Sequence, residues 1–192
     1  MEVTVSIKFL GLQINNYINW KKHIEEMIPE LSGACYAIRQ RPIHWHHTLK
    51  SIYCAYFHCI IKHGIIFWAN FSNSGKIFTV QKKIISIMTD AHPRTCCRSL
   101  FKQLEILPVP CQYILSLMNF WIFETDSSIH IISTRNEYHL HRQNANLSCF
   151  QISTVCARIK IFNSVPPSVT VFQNDKAKFK AAIRKYIHTH TF

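Results

Sequence analysis

The sequence predicts a mainly α-helical protein, a helical bundle with a short β-hairpin at its N-terminus. Three observations carry this. Apolar residues recur at three- and four-residue steps over much of the 192-residue chain. Strict alternation of apolar and polar residues marks one stretch, Glu2 to Phe9. Glycine is scarce, with 4 residues, which disfavours loop-rich all-β folds and glycine-dependent phosphate loops. With 48% hydrophobic residues the chain can bury a core.

In EVTVSIKF, residues 2–9, Val3, Val5, Ile7 and Phe9 form the buried side of a half-buried strand. Leu10 to Ile14 continue it, and Asn15-Asn16 marks a turn. Only one further short strand is nearby, and a lone hairpin is barely stable. This start therefore has the character of a cut edge of something larger. From Trp20 the period becomes helical, with Ile24, Met27, Ile28, Leu31, Cys35 and Ile38 on one stripe. Pro29 sits inside that pattern and predicts a kink or break near Ile28.

The next helix has Thr48 as a cap, Gly64 as a stop, and a stripe of Leu49, Ile52, Tyr53, Tyr56, Phe57 and Ile60. Ile65–Trp68 is core, and Ser72–Gly75 is a bend. Lys76 to Asp90 is amphipathic: Ile77, Val80, Ile84, Ile87 and Met88 cluster on the wheel, opposite Lys76, Thr79, Lys83, Ser86 and Asp90. Short helices follow at 99–104 and 111–124, the second opened by Pro110. Residues 125–147 have no clean period and read as loop; 153–162 is weakly periodic. The last helix, 175–188, packs through Phe179, Ala182, Ile183 and Ile187 and turns Lys178, Arg184 and Lys185 outward. The organisation is thus a strand or hairpin at 1–19, a helical domain at 20–124, and a basic extension at 125–192 ending in a helix.

Charge is unevenly distributed. Lys and Arg number 22 against 10 acidic residues, a formal charge of +12. Basic and acidic residues balance over 1–40, whereas 76–102 opposes six cations to Asp90 alone. A basic middle and tail suggest a polyanionic partner, most simply nucleic acid. No run reaches the length of apolar residues that a membrane span needs, since His58, Lys62, His63 and Asn70 interrupt Ile52–Phe71. No hydrophobic signal region follows Met1, so an intracellular site, nuclear or cytoplasmic, is expected. The 8 cysteines include no CxxC and are read as free core thiols.

The 12 histidines raise the question of a metal. His44, His46 and His47 cluster, and Cys54, His58, Cys59 and His63 lie on neighbouring turns. No CxxC completes a zinc finger. Five helical steps turn the Cys59/His63 pair about 140° from Cys54/His58, too far for one ion to join them. No metal ligand is assigned. Nucleophile-elbow, P-loop and dinucleotide signatures are lacking. The three aspartates, Asp90, Asp126 and Asp175, are far apart in sequence, whereas two-metal phosphoryl transfer needs carboxylates brought together. No catalytic residue and no cofactor is assigned. Basic residues do interleave with aromatics, as phosphate contacts and base-stacking groups would. The candidate nucleic-acid contacts are Lys76, Lys82, Lys83, Arg94, Arg98, Lys102 and Arg135.

The order of motifs resembles the region that follows the catalytic palm in jockey-like non-LTR retrotransposon reverse transcriptases. The resemblance starts at Phe9-Leu10-Gly11 and the helix Trp20-Lys21-Lys22-His23-Ile24. It continues through Leu49–Tyr53, His63–Trp68, Gln81–Met88, Cys97–Leu107, Ile129-His130, Thr134-Arg135-Asn136, Ile159–Pro166 and the Phe179/Ile183 helix. It covers nearly the whole chain and rests on order, not on one decisive motif. It implies a helical thumb preceded by an edge of the palm, gripping an RNA or DNA template–primer duplex beside the palm and fingers of the same enzyme. The aspartate pair of an RNA-directed DNA polymerase has no counterpart here, so no polymerase activity is expected of this chain alone. Pro29 departs from the family's uninterrupted helix. A second reading stays open: a self-associating or protein-binding helical module that uses the apolar face of Val3, Val5, Ile7 and Phe9.

Overall fold

The computed structural model describes residues 6–40, 46–92, 94–121, 140, 146, 153–172 and 175–191. The protein is mainly helical, with a short two-stranded antiparallel hairpin at its N-terminus. It divides into two compact units, one within Met1–Pro110 and one within Cys111–Thr191.

In the first unit, β1 (Ser6–Phe9) pairs with β2 (Leu12–Asn15), with Ile7 opposite Ile14 and Phe9 opposite Leu12. Residues 10 and 11 are a turn, not a continuation of the strand. Both are left-handed, Leu10 at φ 46° and Gly11 at φ 81°, the geometry that matches the twist of a two-residue hairpin. The expected inward face is only half covered. Helix α1 (Lys21–Arg39) packs on β2, and Leu12 is buried, while Ile7 and Phe9 stay 60% and 59% exposed. Val3 and Val5 lie outside the described residues.

Helix α1 (Lys21–Arg39) runs through Pro29 without the break expected near Ile28. Pro29 is on the solvent side, where water can satisfy the carbonyl that loses its N–H partner. The buried stripe is His23, Ile24, Met27, Leu31, Ala34, Cys35 and Ile38, joined by Trp20. Ile28 is only half-buried.

The next helix has three parts: α2 (His46–Ile52), a π-helical segment (Tyr53–His58) and α3 (Cys59–Lys62). It starts before Thr48, so Thr48 is not its cap. The buried stripe is Leu49, Tyr53, Phe57 and Ile61, spaced by four, whereas Tyr56 is 57% exposed. A four-residue step advances about 40° round an α-helix and would carry such a stripe off the core. The wider π turn cancels that advance. Gly64 then turns left-handed at φ 61°, and α4 (Ile65–Trp68) buries Ile65 and Trp68 as expected. A 3-10 turn (Ser72–Ser74) leads into α5 (Gly75–Met88), and α6 (Cys97–Leu104) packs on α5.

Helix α7 (Val109–Trp121) begins at the boundary of the units. In the second unit, Ser153 caps α8 (Thr154–Ser164) by accepting from the Cys156 N–H. Pro167 opens the single turn α9 (Pro167–Thr170). The Asp175 carboxylate accepts from the Ala177 and Lys178 N–H groups at the start of α10 (Lys176–Thr191). Those bonds and the Lys178 ammonium hold its pKa below the usual value. Phe179, Ile183 and Ile187 are buried, and the Phe179 ring meets Phe162 at 6.3 Å. Ala182 is only half-buried. The predicted loop at 125–147 falls almost wholly outside the described residues.

Candidate nucleic-acid interface

Helix α5 carries three of the seven predicted contacts, and its orientation decides where they point. The buried residues are Ile77, Gln81, Ile84, Ile85 and Met88. Val80 and Ile87, expected inside, are half-buried. The helix is thus rotated from the purely hydrophobic wheel, and the cause is Gln81. Its Nε2 donates to the Tyr53 hydroxyl at 2.9 Å and to the Leu107 carbonyl at 3.0 Å. Its Oε1 accepts from the Val109 N–H at 2.8 Å. A buried amide is costly without partners, and three good bonds offset that cost. Burial pushes the Tyr53 phenol well up, so it stays a neutral hydroxyl.

With Gln81 inside, Lys82 and Lys83 leave α5 about 100° apart, on opposite flanks. Lys82 sits on the α6 side. Its Nζ lies 4.7 Å above the Phe78 ring, and Phe78 stacks on Phe101 of α6 at 6.1 Å and 25°. This cation–π contact holds the ammonium at a defined height. On α6, Arg98 and Lys102 are exposed and one turn apart, while Leu100, Phe101 and Leu104 face inward. Arg94 is exposed in the connection between the two helices, its N–H donating to His92 Nδ1 at 3.4 Å. Lys82, Arg98 and Lys102 therefore share the α5–α6 side.

Lys76 and Lys83 share the other flank, seven residues apart and about 20° apart around the helix. There α5 packs on α1, the most extensive helix pair of the unit. Lys83 and Arg39 both act on the Cys35 thiol. Burial pushes its pKa up, the larger effect, and the two cations oppose it. Arg39 was not singled out from the sequence, because its segment carries no net charge. Its position one turn after Cys35 on the α1 stripe was the signal that could have found it. Among the described residues, none of Lys76, Lys82, Lys83, Arg94, Arg98 and Lys102 has a carboxylate partner. Arg135 lies outside the described residues.

Among the described residues, no group of three His, Cys, Asp or Glu side chains is placed to hold a metal ion. The side chains of His44, His46 and His47 are not among them. The cysteines of the described residues are free thiols, but only Cys35 and Cys111 are buried; Cys54, Cys59 and Cys96 are exposed. They were expected in the core. In the π segment the stripe passes through Tyr53 and Phe57, which turns Cys54 outward. Among the described residues, no helix is long and apolar enough to cross a membrane. No family model, curated protein or solved structure matches the chain.

Proposed function

We propose that the chain binds nucleic acid through the basic surface of α5 and α6, as the thumb-like segment of a non-LTR retrotransposon reverse transcriptase. In that role it grips a template–primer duplex for a catalytic palm and fingers elsewhere in the enzyme and has no polymerase activity of its own. The supporting observation is the set of cations that have no carboxylate partner among the described residues, with Lys82 held over Phe78. Such cations release counterions from a phosphate backbone. The test is duplex affinity across a salt series. Four to six phosphate contacts give a log–log slope of about −4 to −5. The double substitution Lys82→Glu and Lys102→Glu should make that slope shallower by about two. A wild-type affinity that is flat between low and moderate salt overturns the reading.

The exposed hairpin face favours a second reading. Ile7, Phe9 and Leu10 are 60%, 59% and 76% exposed and adjoin one another on a two-stranded ribbon. Such a surface suits a protein partner or self-association. Light scattering that shows a clean monomer at all concentrations rules out self-association.

A further inference from the structure

The basic surface of α5 and α6 leaves unused a cleft that lies beneath the hairpin turn. The cleft has a volume of about 390 Å³, within the range of small-ligand sites, and is lined from the hairpin, α1 and α3. Glu26 and Glu30 line it, one turn apart on α1. Neither has an ion-pair partner among the described residues, although Lys8 lines the same cleft. With its histidines counted as neutral, the lining opposes two carboxylates to one ammonium. Like charges one turn apart disfavour each other, so a cation between them is favourable. Leu10, Met27 and Ile60 supply apolar surface.

His23 points to a ligand independently. It lines the cleft, is 8% exposed, and has a buried Nε2 with no hydrogen-bond partner among the described residues. Its Nδ1 accepts from the Gln13 N–H at 3.5 Å, which leaves the ring proton on Nε2. That N–H is a donor without an acceptor, and a buried donor of this kind is costly. Among the described residues, no three His, Cys, Asp or Glu side chains are placed to share a metal ion, so the cleft suits an organic molecule.

We propose that this cleft binds a small organic cation, a primary ammonium with an apolar body and a neighbouring carbonyl oxygen. The ammonium lies against Glu26 and Glu30, the carbonyl accepts from His23 Nε2–H, and the apolar body rests on Leu10, Met27 and Ile60. An α-amino amide has this make-up. A phosphate would meet two carboxylates here, so the cleft is separate from the nucleic-acid reading and stands or falls without it.

The test is a titration followed in amide NMR spectra with leucinamide, isoamylamine and N-acetyl-leucine, at about pH 7, where an α-amine is mostly charged. Leucinamide should give saturable shifts at the Gln13 amide and along the first half of α1. Isoamylamine lacks the carbonyl and should bind about fivefold more weakly. N-acetyl-leucine, an anion, should not bind. The double substitution Glu26→Gln and Glu30→Gln should weaken leucinamide about tenfold. Glu25→Gln, exposed on the same helix but outside the cleft, should leave it unchanged. Thermal unfolding of both variants controls for folding. The inference fails if leucinamide gives no saturable shift, if isoamylamine or N-acetyl-leucine binds equally well, or if Glu25→Gln weakens binding as much as the pair.

Discussion

The Gln81 knot and the hairpin dock both hold the first unit together through polar contacts, and they differ in construction. The knot is buried, with Gln81 2% exposed, and ties α5, the π segment and the chain at Leu107 and Val109 through three bonds of 2.8–3.0 Å. The dock is at the edge. The His63 ring donates from Nε2 to the Leu10 carbonyl at 2.8 Å, and the Gln13 N–H approaches His23 Nδ1 at a long 3.5 Å. His23 Nε2 is buried with no hydrogen-bond partner among the described residues. Beneath the turn lies a cleft of about 390 Å³ lined in part by Lys8, His23, Glu26, Glu30 and His63. A satisfied, buried network over-determines one arrangement, whereas a half-satisfied one at the surface leaves the hairpin free to open first.

The largest effect should come from the knot. Gln81→Leu removes all three bonds and leaves the Val109 N–H, the Leu107 carbonyl and the Tyr53 hydroxyl without this partner, a loss of about 3 kcal/mol in urea unfolding. A loss below about 1 kcal/mol would show that water replaces the amide and that the contrast is false.

Gly64→Ala probes the dock. Gly64 has φ 61°, and an added Cβ would lie 2.6 Å from Leu12 Cδ2. A cost of about 2 kcal/mol follows from the left-handed backbone and the displaced leucine. Native-state hydrogen exchange should show faster exchange at the β1–β2 amides than at the Val109 amide.

Leu10→Asn sharpens the comparison in the other direction. A left-handed leucine at a two-residue turn is strained, and Asn-Gly is the preferred pair there. The substitution keeps the carbonyl that His63 uses and should stabilise the hairpin by about 0.5–1 kcal/mol, seen as slower exchange of the same amides.

The last prediction is a pH dependence. Burial, the largest effect, holds the His23 imidazole below its ordinary 6.5, as it does for His58. Glu26 and Glu30 act to raise the His23 value, and His63 and Lys8 to lower it. As pH falls below about 6.5 the unfolded chain takes up protons that the folded chain refuses, so stability is lost with acid. The loss levels off once the folded groups also titrate. In His23→Gln this loss should be smaller. A protonated His23 cannot accept from the Gln13 N–H, so protection of the hairpin amides, relative to their intrinsic exchange rates, should fall in acid while the Val109 amide follows only global stability. Equal response at both places would remove the distinction.

Legibility followed the type of signal. The helix stripe Ile24, Met27, Leu31, Cys35, Ile38 and the packing of Phe179, Ile183 and Ile187 were readable because an amphipathic period survives any placement of the helix. The Ser153 cap was missed, although a serine just before an apolar run is a local sign that could have shown it. The basic residues of 76–102 were readable as residue types but not as a surface. One sequence stretch, Lys82-Lys83, feeds two separate flanks once α5 is seated.

By itself the sequence determined the helical class, the presence of a hairpin, the order of the elements and the concentration of positive charge in 76–102, because these depend on local period and composition. Only the tertiary structure decided that Gln81 lies inside, that Ile7 and Phe9 lie outside, that Pro29 is tolerated, and that a π segment keeps Leu49, Tyr53, Phe57 and Ile61 in line. Each of these depends on what a neighbouring element offers: three hydrogen-bond partners, a covering helix, water, or a core to face. Hydrophobicity along one strand or helix carries no record of those partners.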